Sequence, residues 1–207
     1  MSGKLAMVCG VLGALWVVAL TLVGGATFPG YNHASQYISE LGATGAPFGQ
    51  AVSWGGFLPA GLLLCAFAVL AWRASPKSVW STAGFLGLFL FALGYAGSAF
   101  FPCDYGCRPD APSFSQAMHY LVGLPGYFLA PLTLALVGFG ARTWPQARHL
   151  NVLAFVCGGV ALLSLAFFSP GYALVGIAQR VLEGSVLIWI LACALYLGAS
   201  KSKTAAP

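Results

Sequence analysis

Apolar residues in this chain fall in six runs, at positions 5–28, 51–72, 79–101, 114–140, 150–168 and 172–199, with short segments between them that hold nearly all of the charge. Each run is close to or above the ~20 residues that a helix needs to cross ~30 Å of hydrocarbon. The pattern predicts an all-α polytopic membrane protein, a bundle of six transmembrane helices forming one domain over residues 1–207. The first run is longer than the roughly 7 to 15 apolar residues of a signal peptide and only Lys4 precedes it, so it is read as a transmembrane helix.

One of these runs is broken by charge. Gln179, Arg180 and Glu183 stand inside the sixth, where a lone Arg or Glu costs about 2.5 to 3.5 kcal/mol on insertion scales. Spacings of three and four residues place them on one helix face, which is expected to look into the bundle with Arg180 and Glu183 paired. Counting ~1.5 Å per residue from Tyr172, Gln179 lies about 10 Å and Glu183 about 16 Å below the helix start.

Composition narrows the class. With 59% hydrophobic and 6% charged residues the chain has too little charge to coat a soluble surface. The net charge of +5 comes from scattered single residues and forms no stripe, which argues against nucleic acid as a partner. Lys4, Arg73, Lys77, Arg142, Arg148, Lys201 and Lys203 all fall on the side of the N-terminus, the second and fourth connections and the C-terminus. By the positive-inside rule that side, with both termini, is cytoplasmic in an inner (plasma) membrane. Glu40, Asp104, Asp110 and Arg108 fall on the outer side.

The two outer connections that follow the first and third runs are the polar ones. In the first, Ala34, Tyr37, Ile38 and Leu41 have helical spacing, Asn32 can cap and Gly42 can end the turn in a left-handed conformation. A short amphipathic helix at the outer interface is expected, with Ser35, Gln36, Ser39 and Glu40 toward water or the bundle mouth. The second holds Cys103 and Cys107, four apart on the side exposed to an oxidising compartment, and is expected to close as a disulfide. A metal site drawing on Asp104 and His119 is the weaker alternative, since four ligands are hard to fill. Ser113 to Gln116 has capping-box spacing and starts the fourth helix, placing His119 near the outer boundary of the hydrocarbon.

Small and helix-bending residues gather near the same end in two helices, Gly55, Gly56, Pro59 and Gly61 in the second and Gly94, Ala96, Gly97 and Ser98 in the third, and Pro125 and Pro131 bend the fourth. Kinks there would open space. The inner half of every helix lacks ionisable groups, so a conduction path is not expected. The three histidines, His33, His119 and His149, are too far apart in the topology to ligate a haem, and no cofactor is expected.

Tyr37-Ile38-Ser39-Glu40-Leu41-Gly42, Phe101-Pro102-Cys103-Asp104, His119 and Gln179-Arg180 together resemble the family called domain of unknown function 998, small prokaryotic membrane proteins of about six helices. The resemblance spans essentially the whole chain. It implies the fold and a shared outer-facing polar cluster, and it implies no reaction.

Three functions fit these residues. The first is binding or transfer of a membrane lipid or other amphiphile, with Arg180 on an anionic headgroup, Glu183 as its partner when empty, and Gln179, Ser39, Glu40, Asp104 and Arg108 around the ligand. The second is a hydrolase or transferase acting on a lipid headgroup, with Glu183 or His119 as acid or base and Ser35, Ser39 or Ser98 as nucleophile. Neither Gly-x-Ser-x-Gly nor His-Glu-x-x-His is present to support it. The third is a structural partner subunit whose Arg180–Glu183 pair fixes helix packing.

Overall fold

The computed structural model describes residues 2–199 and is helical throughout its regular structure, with no strand among those residues. Six helices are long and apolar enough to cross a membrane: α1 (Ser2–Thr27), α2 (Gly49–Ala74), α3 (Val79–Phe100), α4 (Phe114–Ala141), α5 (Arg148–Leu165) and α6 (Val175–Ala199). Consecutive helices pack side by side and α1 closes against α6, so the six form a ring. Inside it, Phe67, Phe85, Leu134, Leu182 and Trp189 make one continuous core, while Leu15, Leu22, Leu86 and Leu162 face outward. An apolar exterior around an apolar interior is what lipid on one side and packing on the other select. Lys4, Arg73, Lys77, Arg142 and Arg148 gather at one end of the ring, and Lys201 and Lys203 lie outside the described residues.

Close backbone approach holds the ring together. A Cβ on Gly61 would lie 2.4 Å from the Ala96 backbone nitrogen, so α2 and α3 touch main chain to main chain there. The bend expected in α2 takes the form of a π-helical segment, Val52–Phe57. Pro59 has no N–H to offer the Gly55 carbonyl, and the indole of Trp16 on α1 donates to that oxygen at 3.1 Å. Proline, π-turn and indole are thus one feature, in the outer third of α2 and ending at Phe57, which lines a cavity at this end of the ring.

The end of the ring away from the termini is closed by its connections. Cys103 and Cys107 form a disulfide, Cα to Cα 5.1 Å, and with Tyr37, Ala43 and Val175 they make a second small core. Of the short helix expected in the first connection, a 3-10 turn, Ile38–Gly42, is present. It does not lie on a surface. Ile38 and Leu41 are buried in the ring's core, and Glu40, expected toward water or the bundle mouth, is buried too. Nor does Gly42 adopt the left-handed conformation; Gly45, three residues on, does.

α6 explains why this connection is drawn inward. The first N–H groups of a helix have no internal partner. Ile177 donates to the Ala34 carbonyl at 3.1 Å, and a Cβ on Gly176 would fall 2.5 Å from the Gln36 oxygen. Only glycine lets the loop backbone seat on the helix start.

Candidate functional site

The polar face of α6 divides. Gln179 and Glu183 look into the ring, and Arg180 looks up into the first connection. Glu183, 2% exposed, accepts hydrogen bonds from Tyr95 of α3 at Oε2 and from Tyr127 of α4 at Oε1. The direction of the network is set by backbone. The Ile38 N–H donates to Gln179 Oε1 at 2.7 Å, so Gln179 presents Nε2 to Tyr127 Oη at 2.8 Å, and the Tyr127 proton is left for Glu183. A chain of hydrogen bonds therefore runs from the first connection to a carboxylate inside the ring.

Arg180 is a clasp. Its guanidinium donates to the carbonyls of Gln36 and Gly176, both at 2.9 Å, to Tyr31 Oη at 2.7 Å and to His33 Nδ1 at 3.1 Å, while its Nε is buried without a partner. The expected Arg180–Glu183 pair does not form, because loop acceptors take the guanidinium and tyrosines take the carboxylate. Three residues along a helix leave an offset of only ~60°, so it is these partners, the loop packed above and the tyrosines of α3 and α4, that draw the two side chains apart. Burial pushes the Tyr31 hydroxyl up to about 12, with Arg180 opposing the rise.

His33 gives the clasp a pH dependence. Burial and then Arg180 hold its imidazole below the ordinary 6.5, since the Nδ1 that accepts from Arg180 must be unprotonated. A depressed histidine stabilises the seated loop fully above 6.5, and the contribution is lost as pH falls below that value. Amide exchange in residues 33–42, corrected for its intrinsic rate, is expected to speed up as pH drops from 7 to 5. His33→Ala should abolish the step; an equal step in that variant would mean that another group titrates.

Glu183 stands on the wall of a cavity of about 270 Å³ at the loop end of the ring. Its lining is largely aromatic, including Tyr37, Phe57, Phe91, Tyr127 and Phe168, with Gly94, Ser98 and Gly123 opening the α3–α4 side. Tyr127 and Phe168 stack with centroids 5.3 Å apart. His119 faces the same space; its Nδ1 donates to the Phe101 carbonyl at 2.9 Å, which leaves Nε2 as an acceptor. Among its lining residues Phe128 is 58% exposed, on the outward side of α4.

Of the candidate site residues read from sequence, Glu183, Gln179, His119, Ser39, Ser98 and Cys107 line this cavity. Glu40, Asp104, Arg108 and Arg180 do not line it. Glu40 accepts from the Tyr37 N–H at 2.9 Å and from Gln36 Nε2 at 2.7 Å, folding the first connection on itself. Asp104 takes the N–H and the hydroxyl of Ser113, whose Oγ accepts from the Gln116 N–H to cap α4. Those bonds hold the Asp104 carboxyl below its usual range. Arg108 donates to the carbonyls of Pro170 and Ser35 and lies over the Tyr37 ring, tying the three connections together. Among the described residues no group of three or more metal-ligating side chains assembles.

The tyrosines were missed. Tyr95 and Tyr127 hold the carboxylate, yet each stands singly in an apolar run, and the signal was only that they sit within the run instead of at its interfacial end.

Fold and site define a multi-pass helical membrane protein whose one carboxylate inside the ring is held by phenols beside an aromatic cavity. The family model described as "Protein of unknown function (DUF998)" matches residues 11–196, and the chain belongs to that family. No curated protein and no solved structure matches it.

Proposed function

We propose that this protein binds an amphiphile, such as a membrane lipid, in the aromatic cavity, taking it laterally from the leaflet that surrounds the loop end. The observation that carries the reading is the cavity itself: a space of about 270 Å³ among apolar rings, with a polar floor at Gln179 and Glu183 and one lining ring, Phe128, exposed on the outward side of α4. Ligand pockets run from about 300 to 1,000 Å³, so this one suits a headgroup and the first part of a chain. The first connection acts as its lid. We place the loop end outside the cell membrane and the termini in the cytoplasm; the disulfide at one end and Lys4, Arg73, Lys77, Arg142 and Arg148 at the other support that orientation.

Hydrolysis or transfer at a lipid headgroup is the second reading, favoured by one observation: Glu183 and His119, with Ser98 and Ser39, line the same cavity. Here Nε2 of His119 is the base, because its Nδ1 proton is committed to a carbonyl.

Gly123 supplies the test. Gly123 lines the cavity and a Cβ there meets nothing within 4 Å, so Gly123→Leu is the substitution chosen to fill it, with a gain in helix propensity. Native mass spectrometry of the purified protein is expected to show a co-purified amphiphile that Gly123→Leu loses while its thermal unfolding stays unchanged. Equal retention by both proteins would remove the cavity from the proposal. A released product seen only with the unmutated protein, and an intact precursor in His119→Gln, would favour the second reading.

A further inference from the structure

Most of the donor protons on the cavity's lining are already committed. Tyr95 and Tyr127 give their protons to Glu183, Tyr120 gives its proton to the Cys107 carbonyl and Ser98 to the Gly94 carbonyl. His119 spends its N–H on Phe101. What remains is the Glu183 carboxylate as the one charged group, the His119 Nε2 lone pair, aromatic rings, and neutral polar groups that include the second N–H of Gln179 and the hydroxyls of Tyr37 and Ser39. No lysine or arginine lines it, and the two nearby guanidiniums, Arg180 and Arg108, are bound to loop carbonyls.

That inventory rejects an anion. A phosphate or sulfate would meet a buried carboxylate with no cationic side chain in the lining to compensate, and a buried charge left unpaired is costly. It suits a guest that brings positive charge or N–H groups, because a ring quadrupole attracts cations over its face and a single carboxylate neutralises one charge. The aromatic corner of Phe91, Tyr95 and Tyr127, with neighbouring centroids 5.8 to 5.9 Å apart, is built around that carboxylate.

We infer that the head of the bound amphiphile is a monocation, an ammonium or amine seated beside Glu183 among the rings of α3 and α4. The inference rests on the proposal that the cavity holds an amphiphile, and it reverses the polarity expected from Arg180. A tail-free ammonium ion shares the head chemistry, so the test separates the two sources.

The protein, in a neutral maltoside detergent, would be offered equal concentrations of decyltrimethylammonium, decyl sulfate, decyl glucoside and tetramethylammonium. Adducts are counted by native mass spectrometry, and only those lost in Gly123→Leu are taken as cavity-bound. Decyltrimethylammonium is expected to exceed decyl sulfate and decyl glucoside at least tenfold in the unmutated protein. Glu183→Gln should reduce its adduct about tenfold and leave the glucoside unchanged. Cavity-bound sulfate or glucoside at the level of the ammonium overturns the cationic head while leaving amphiphile binding standing. Tetramethylammonium competing as well as its decyl counterpart supports the cationic site and assigns it to a soluble amine, overturning the amphiphile. No adduct sensitive to Gly123→Leu overturns both. The competition in the unmutated protein decides the head's charge even where Glu183→Gln folds poorly.

Discussion

Glu183→Leu is expected to lower the stability of the folded bundle by about 2 to 4 kcal/mol, taking ~1 to 3 kcal/mol for the buried hydroxyl and ~1 kcal/mol for the half-buried one that it leaves without an acceptor. Those hydroxyls are Tyr95 and Tyr127, which converge on the carboxylate from α3 and α4 while it rides on α6. The substitution therefore damages three helices at once. An Arg180–Glu183 ion pair would predict that Arg180→Leu relieves the damage. The geometry predicts instead that Tyr95→Phe with Tyr127→Phe relieves it, because removing both partners of a buried hydrogen bond costs far less than removing one. Unfolding in mixed micelles, followed by circular dichroism, is the measurement. The triple variant should recover most of the loss and the Glu183→Leu/Arg180→Leu double variant none; the reverse ranking would restore the ion pair and remove the tyrosine network.

The spans themselves were legible because hydrocarbon imposes one rule along the whole length of a helix, and a run of apolar residues reports it directly. The cap and the disulfide were legible for a related reason: Ser113 with Gln116, and Cys103 with Cys107, are partners within four residues, where spacing alone specifies geometry. Partnerships across the ring were not. Glu183 was expected to pair with the nearest charge in sequence, whereas it takes partners 88 and 56 residues away that carry no charge. A one-dimensional pattern reports that a buried carboxylate needs donors. It does not say which neighbouring helix brings them, since ring order and rotation are decided by small-residue contacts such as Gly61 against Ala96. The depth of the first connection was hidden likewise, because an amphipathic pattern reads the same at a lipid interface and on the end of a bundle.

Arg180→Leu is expected to free the first connection while leaving the helices in place. The guanidinium holds Gln36, Tyr31 and His33 of that connection to the start of α6, and charge-assisted bonds of this kind are worth ~1.5 to 3 kcal/mol each. Arg180 is only partly buried, so water at the interface recovers some of the loss, and the net effect is set at about 3 kcal/mol, roughly two of those bonds. On local opening this is ~100-fold faster amide exchange in residues 31–42, with exchange in α3 and α4 unchanged. Arg180→Lys should fall between, because one ammonium cannot span the carbonyl of Gln36 and the hydroxyl of Tyr31 together. A ligand-binding arginine behaves differently: its loss removes the amphiphile and leaves the loop seated. Unchanged exchange in 31–42 with loss of the co-purified amphiphile would therefore return Arg180 to the ligand and refute the clasp. Faster exchange with the ammonium preference intact would separate the two polar groups of α6 by role, Glu183 facing the guest and Arg180 holding the lid.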